Sequence, residues 1–531
     1  MARIAQNSQR QYVTTTAAVM MIATIAVALT FATGSERASE LLLTTAALVL
    51  GTIAIALPVG VSLSVLLVRT DLPGRGVLAA LLGFLLLIPL YLQTGAWQAG
   101  FGMQGWFSNA SGIELLSGLR AAIWVHAMAA IPWVALISGV GLWMVEPELE
   151  EEARLYASDA QVLIRVTLRR GLPAIGIAGM WVAVTTAGEM TVTDLFRVRT
   201  TAEEVYLVFA ATSDMQVASL ELLPHIAVTA VVLLLCGLCC FRVMPRAWAI
   251  STRPRHIFAL GRFQWAALFA VALTMVVLVA VPLACLIYKA GLATVAQTGG
   301  PVVQNWRVDK LFKMVMFEPW TQFGDEMLSS LIIGALASTT AVLFGMALAW
   351  IGRKGRLPAA SVCMLVAILF SVPGPLLGAG VSRLLTYFPA VYDSYGAPGT
   401  AIGLRVLPMV ILVCWHALRL VPEQAIDTAR VAGAGFWACL FKVAMPICHP
   451  ALAAAWLVAF LAGLGDLSAS QLLQLPGRET LAARVFDRLH SGAYDQVCGL
   501  FIAMTIAFAA ATTLAVKLFM LVRRRAERKP R

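Results

Sequence analysis

The chain has 531 residues, 60% of them hydrophobic and only 13% charged, roughly half the charged share of an ordinary soluble domain. Uncharged runs near or above about 18 residues point to bilayer spans, which excludes a soluble globular protein and makes membrane lipid a partner. The net charge of +11 does not mark a nucleic-acid surface, because the basic residues fall in short clusters between apolar runs.

About twelve spans are predicted, at approximately 16–31, 41–67, 77–92, 121–145, 172–186 and 223–241, then 265–288, 327–351, 359–377, 401–418, 451–464 and 497–522. With the N-terminus in the cytoplasm, 26 of the 39 lysines and arginines fall inside, including Arg523, Arg524 and Arg525, so both termini are expected there. The nine cysteines lie mostly within or beside apolar runs without zinc-type histidine spacing, so no disulfide framework, metal site or cofactor is expected.

The two halves read as a parallel repeat of six spans each. Gly60 and the turn at Arg69 echo Gly345 and the turn at Arg353, about 285 residues apart. Gly188-Glu189-Met190-Thr191-Val192-Thr193 echoes Gly465-Asp466-Leu467-Ser468-Ala469-Ser470 at a separation of 277. The expected fold is therefore all-α and integral to the membrane, with a first half at 1–241, a Pro- and Arg-rich cytoplasmic linker at 242–264 and a second half at 265–531. In a parallel six-span repeat, equivalent loops face the same side.

Polar islands stand at equivalent places, 148–173 and 423–450. In the second, Glu423 to Val431 predicts a short helix with Asp427 near its middle and Ala429 as a close-packing surface. Gly433, Ala434 and Gly435 follow as a turn permitting positive φ. Phe436, Trp437, Leu440 and Phe441 give a second short helix one apolar face, and Pro446 and Pro450 are expected to break it before the next span. The acidic start, Ala429-Arg430, the Ala-Gly-Ala turn and the two prolines resemble the cytoplasmic coupling loop of inner-membrane permeases in binding-protein-dependent ABC importers. The first island is an eroded copy: Glu151-Glu152-Ala153-Arg154 matches, but Ala157 stands at the glycine and Arg170 at the first proline. Pro173 matches the second proline only after a one-residue deletion.

The resemblance covers nearly the whole chain, and with the strings at 465–473 and 476–486 it is to fused, double-length permeases of the ferric-iron type. It is also close to thiamine, phosphonate, sulfate and polyamine permeases. It implies type I permease architecture, two cytoplasmic ATPase subunits docked on the loops, an extracytoplasmic solute-binding protein, and ferric iron or a similar small solute as cargo. No Gly-x-x-x-x-Gly-Lys-Ser/Thr phosphate loop occurs, so the chain is read as a permease and not an enzyme.

Glu189, Asp194 and Asp466 follow short spans near membrane depth, where ionisable groups are costly and often functional. With Thr191, Ser468, Ser470 and Gln471 they are candidates to line the pathway; the alternative is that they cap broken helices or join spans. His126 and His416 read as packing or interhelical hydrogen-bonding residues and not metal ligands, since each is alone on its span without a carboxylate pair. The competing function is a secondary transporter of two six-span halves. Span centres nearly free of charge argue against it, and the loops would have no role there.

Overall fold

A computed structural model describes residues 36–103, 105–212, 229, 231, 255–295, 303–475 and 477–527. The expected span 16–31, nearly all of 223–241 and the first part of the linker lie outside the described residues.

The first half contains α1 (Glu36–Arg69), α2 (Arg75–Leu85), α3 (Leu90–Phe101), α4 (Gly118–Trp143), α5 (Pro147–Arg154) and α6 (Leu168–Ala187). Helices α1, α4 and α6 pack as a trio. Small residues let them approach: a side-chain carbon on Gly51 would lie 2.7 Å from Ile123, and one on Gly60 2.6 Å from Val134. Close backbone approach of this kind holds helices together in lipid, where hydrophobicity gives little drive between them.

Short helices α7 (Thr191–Leu195) and α8 (Thr201–Thr212) follow, and then the long α9 (Gly261–Gly291). The second half continues with α10 (Gly324–Gly352), α11 (Arg356–Ser371), α12 (Gly374–Leu385), α13 (Gly396–Arg419), α14 (Glu423–Val431), α15 (Met445–Leu464), α16 (Leu481–His490) and α17 (Tyr494–Glu527). Helices α10, α13 and α15 form a second trio. A carbon on Gly345 would lie 2.8 Å from Val410, as Gly60 meets Val134. Gly399 closes on Leu336 at the level where Gly51 closes on Ile123, with the glycine on the other helix of the pair.

The trios are not separate bodies. Val271 and Met275 of α9 are buried with Leu48, Val125 and Met128 of the first half. Tyr91, Leu92 and Ala96 of α3 share a core with Phe486, Leu489 and Val497 of the second.

Among the described residues, six helices are long and apolar enough to cross a membrane, or up to eight if each bent pair counts as one span. Twelve is therefore not reached, and three expectations change. The runs 77–92 and 359–377 do not continue as straight helices: α2 and α3 meet at 98°, α11 and α12 at 107°. Pro89 and Pro373 stand at these bends as the N-cap residues of α3 and α12, just outside the hydrogen-bond ladder, where a missing N–H costs nothing. The span expected at 172–186 is Leu168–Ala187, which carries Arg169 and Arg170 in its first turn and is not among the six. Finally, an antiparallel hairpin pairs Leu292–Val295 with Val303–Trp306 outside the helices, against the all-α expectation.

The end of the linker is tied down. Phe258 exchanges backbone bonds with Arg69 and Asp71, its ring lies 5.6 Å from the Arg69 guanidinium, and Asp71 Oδ1 accepts from Leu260 N–H at 2.9 Å. Arg255 covers the Trp143 ring at 3.6 Å.

Candidate functional site

The second polar island folds largely as its sequence predicts. Helix α14 spans Glu423–Val431, and Gly433 takes φ 85°, the left-handed conformation that ends the helix. Ala434 N–H then bonds the Ala429 carbonyl at 2.9 Å. Gly435, by contrast, has φ −70° and needs no glycine freedom. The prolines do not break the next helix. Phe436–Cys439 runs through a π turn, Leu440–Ala444, directly into α15, and Pro446 sits in the first turn after it. Widening the helix by one residue there re-spaces the ladder around a residue that cannot donate.

The first island has the same plan with different fixings. Helix α5 is followed by Asp159–Val162, a π turn at Leu163–Thr167, and α6. The π turns stand 277 residues apart, and α6 and α15 are both 20 residues long. Ala157 adopts no left-handed conformation, since Arg197 is the one non-glycine with positive φ among the described residues. The shorter turn is closed by Ser158 and Gln161 as a capping box. Arg154 bonds Asp159 at 2.9 Å, and Arg170, in the first proline's place, pairs with Glu146 at 2.5 Å. Burial opposes ionisation of Asp159, but Arg154 and His256 beside it hold its carboxyl below the usual range.

The loops present apolar tips to solvent. Val431 is 91% exposed and Tyr156 86%, beside an exposed Leu155. Glu151, Glu152, Arg154, Glu423, Asp427 and Arg430 are exposed, while Ala153, Ala429 and Ala434 are half-buried. Sequence reasoning passed over Glu150. Its side chain is fully buried, paired with the fully buried Arg69 and accepting from Thr167 Oγ1 at 2.6 Å. In the second half an apolar residue, Ile426, is buried at the matching level. There Arg353 donates to the Leu418 carbonyl at 3.0 Å, as Arg69 does to Leu142 at 3.4 Å.

The second constellation lies where the halves meet. Glu189 accepts from the N–H groups of Thr191 at 2.6 Å and Val192 at 3.0 Å; Asp466 accepts from Ala469 at 3.1 Å. Each carboxylate thus caps the turn after its span. The motifs touch across the halves: Met190 N–H reaches Ser468 Oγ at 3.4 Å, and Gly374 N–H reaches the Gly188 carbonyl at 3.4 Å. Thr193 and Ser470 are fully buried and bond carbonyls of their own turns. The side-chain oxygen of Gln471 is buried without a hydrogen-bond partner. Asp194 turns away from this group to His490, at 3.0 Å.

Two further residues belong here. His126 Nε2, expected to pack or to hydrogen-bond between helices, lies 3.7 Å from Glu189 Oε2. Arg405 of α13 was not singled out, although a lone arginine in an apolar span is the available signal. It donates to the Val372 carbonyl at 3.0 Å and the Gly188 carbonyl at 3.4 Å. The bend at Pro373 is what leaves the Val372 carbonyl free to accept; irregular backbone at membrane depth survives where protein satisfies it.

Asp194 raises the proton affinity of His490, whose helix is not one of the six spans. A group with a raised folded pKa stabilises fully below its unfolded value, about 6.5, and loses that contribution as pH rises through the folded value. Thermal unfolding of His490→Gln should therefore fall below wild type at pH 6 and converge with it at pH 9. A gap independent of pH would assign His490 to packing.

Residues 320–528 match a family model. That family is the binding-protein-dependent transport system inner membrane component. The match holds α10 to α17, with the second polar island and Asp466. An arabinooligosaccharides transport system permease protein from Halalkalibacterium halodurans is 31% identical over 150 residues, 28% of this chain and 50% of the relative. A putrescine transport system permease protein from Escherichia coli is 27% identical over 180 residues, 32% of this chain and 62% of the relative. A spermidine/putrescine transport system permease protein from the same species is 25% identical over 91 residues, 17% and 34%. The chain thus spans between about a third and three fifths of the length of these relatives.

Proposed function

We propose that the chain is the membrane-embedded permease of an ATP-driven, binding-protein-dependent importer, with both halves in one polypeptide. The observation that carries this reading is the exposed helix–turn–helix from Glu423 into α15, held by the left-handed Gly433 and lying inside the family match. A short rigid helix with exposed apolar and charged residues suits a groove on a separate ATPase. The matched π turns and equal α6 and α15 support a second, equivalent contact at 148–173 and the division 1–241, 242–264 and 265–531. On this reading both loops and both termini are cytoplasmic, two ATPase subunits dock below, and a solute-binding protein docks on the opposite face. Twelve spans would complete the architecture, with bent α2–α3 and α11–α12 as equivalent members.

The cargo is a small solute delivered by that binding protein. The relatives' names speak of arabinooligosaccharides, spermidine and putrescine, so ferric iron gains no support from them. A secondary transporter leaves the coupling helices without a task.

Single cysteines at Val431 and Tyr156, crosslinked in native membranes, should each capture a protein with a phosphate-loop ATPase sequence. Capture at neither site would overturn the importer reading. Arg430→Glu should reduce capture more than Arg154→Glu, because the first loop has further fixings in Glu146–Arg170 and Ser158–Gln161. Equal losses would show that the two loops dock alike.

A further inference from the structure

The two polar islands are braced at the same place by different parts of the chain. Phe436 opens the helical turn that leads into the second π turn, and Asp159 opens its counterpart in the first island. In the second half the bracing comes from the end of α10 and the turn after it. The buried Trp350 lies against the Phe436 ring, 5.4 Å between centres, and its indole N–H donates to the Phe436 carbonyl at 3.2 Å. Lys354 Nζ stands 4.0 Å from the centre of the same ring. An aromatic pair with a cation over one face fixes the orientation of both rings.

The first half lacks these groups. Aligned on Arg69 and Arg353, it carries Leu66 in place of Trp350 and Thr70 in place of Lys354. The end of the linker comes to this place instead. Phe258 is buried and forms a backbone bridge with Thr70. His256 sets its ring perpendicular to Phe258, 4.8 Å between centres, and brings Nε2 to 3.5 Å from Asp159 Oδ2. Arg255 grips the approach to the island: it covers the Trp143 ring and donates to the Trp143 carbonyl, at the close of α4 and just ahead of α5. Arg69 joins these contacts, with the Phe258 ring on one side and Glu150 of α5 on the other.

We propose that Arg255, His256 and Phe258 are positioning residues for the first ATPase contact, the linker doing for 148–173 what Trp350 and Lys354 do for 423–450. This rests on the importer reading, because only a docking loop needs a fixed angle. A loop already held in its docked orientation loses less freedom on binding. The linker runs on into α9, so the brace also joins the first contact to the helix that opens the second half.

The test measures spin-label distances on the full chain in nanodiscs, without ATPase and with the native cysteines changed to serine. Tyr156→Cys with Val77→Cys reports the first island, and Val431→Cys with Leu357→Cys the second; all four positions are exposed. Arg255→Ala with His256→Ala should broaden the first distance distribution and leave the second as it was. Lys354→Ala should do the reverse. In native membranes, Arg255→Ala with His256→Ala should lower ATPase capture at Tyr156 several-fold and spare capture at Val431. A distribution indifferent to the loss of its own brace, or both broadened alike, overturns the proposal. So does a broadened first distribution with capture at Tyr156 intact. Should the double variant fail to reach the membrane, His256→Leu takes its place, keeping bulk against Phe258 and removing the imidazole beside Asp159. Capture at neither site without these substitutions defeats the importer reading, and the distances still report whether the linker holds the island.

Discussion

Glu150→Ala is expected to lower stability by about 3–5 kcal/mol, the usual result of stripping one partner from a buried ion pair. Both side chains of the Arg69–Glu150 pair are fully buried, so no water can replace the lost carboxylate. Arg69 would keep only the Leu142 carbonyl at 3.4 Å and the Phe258 ring, and Thr167 would lose its acceptor. The pair itself is not what stability requires. Arg69→Met with Glu150→Ile gives this level the apolar character that Ile426 has in the second half, and should recover most of the loss. Thermal unfolding in nanodiscs decides between these outcomes. An unchanged midpoint for Glu150→Ala would mean that the pair is solvated in the membrane.

Gly433→Val should leave the fold intact and strip the second of the two proposed ATPase contacts. At φ 85° a non-glycine residue costs about 1–2 kcal/mol, and a branched one more. A carbon on Gly433 would meet nothing within 4 Å, so the cost is backbone conformation alone. The turn should relieve it by swinging α14 away from its docking angle. Crosslinking yield at Val431 should then fall several-fold while the chain still reaches the membrane. Ala157→Val should leave the yield at Tyr156 near wild type, because the first turn holds no left-handed residue. Equal behaviour of the two variants would mean that the glycine turn does not set the docking angle.

Much of the second loop was legible because its signals are local. Glu423, Gly433 and Phe436 each announce a start, stop or face within a few residues, and the helix came out at the residues expected. The bends were not legible, since hydropathy sums along the chain and is blind to direction. Pro89 and Pro373 marked the places but not whether the helix kinks or ends. Glu150 was hidden in the run Glu148–Glu152. Its distinction is a partner 81 residues away, brought close by the packing of α1 on α4. The pairing of Gly188-Glu189 with Gly465-Asp466 was visible as an echo in the sequence. That the strings would touch, through Met190 and Ser468, required the halves to be assembled.

The docked end of the linker bears on how the gene could be divided. Phe258 is bound to the turn after α1, and α9 lies against α1 and α4 although it opens the second half. A break introduced upstream of Arg255 would yield two polypeptides that each keep a strand or helix lodged in the other, and they should find one another when co-expressed. A break between Phe258 and α9 would leave the strap on one product and its continuation on the other. For making a two-chain form in which each polar loop can be altered and tagged separately, the useful junction is therefore upstream of Arg255.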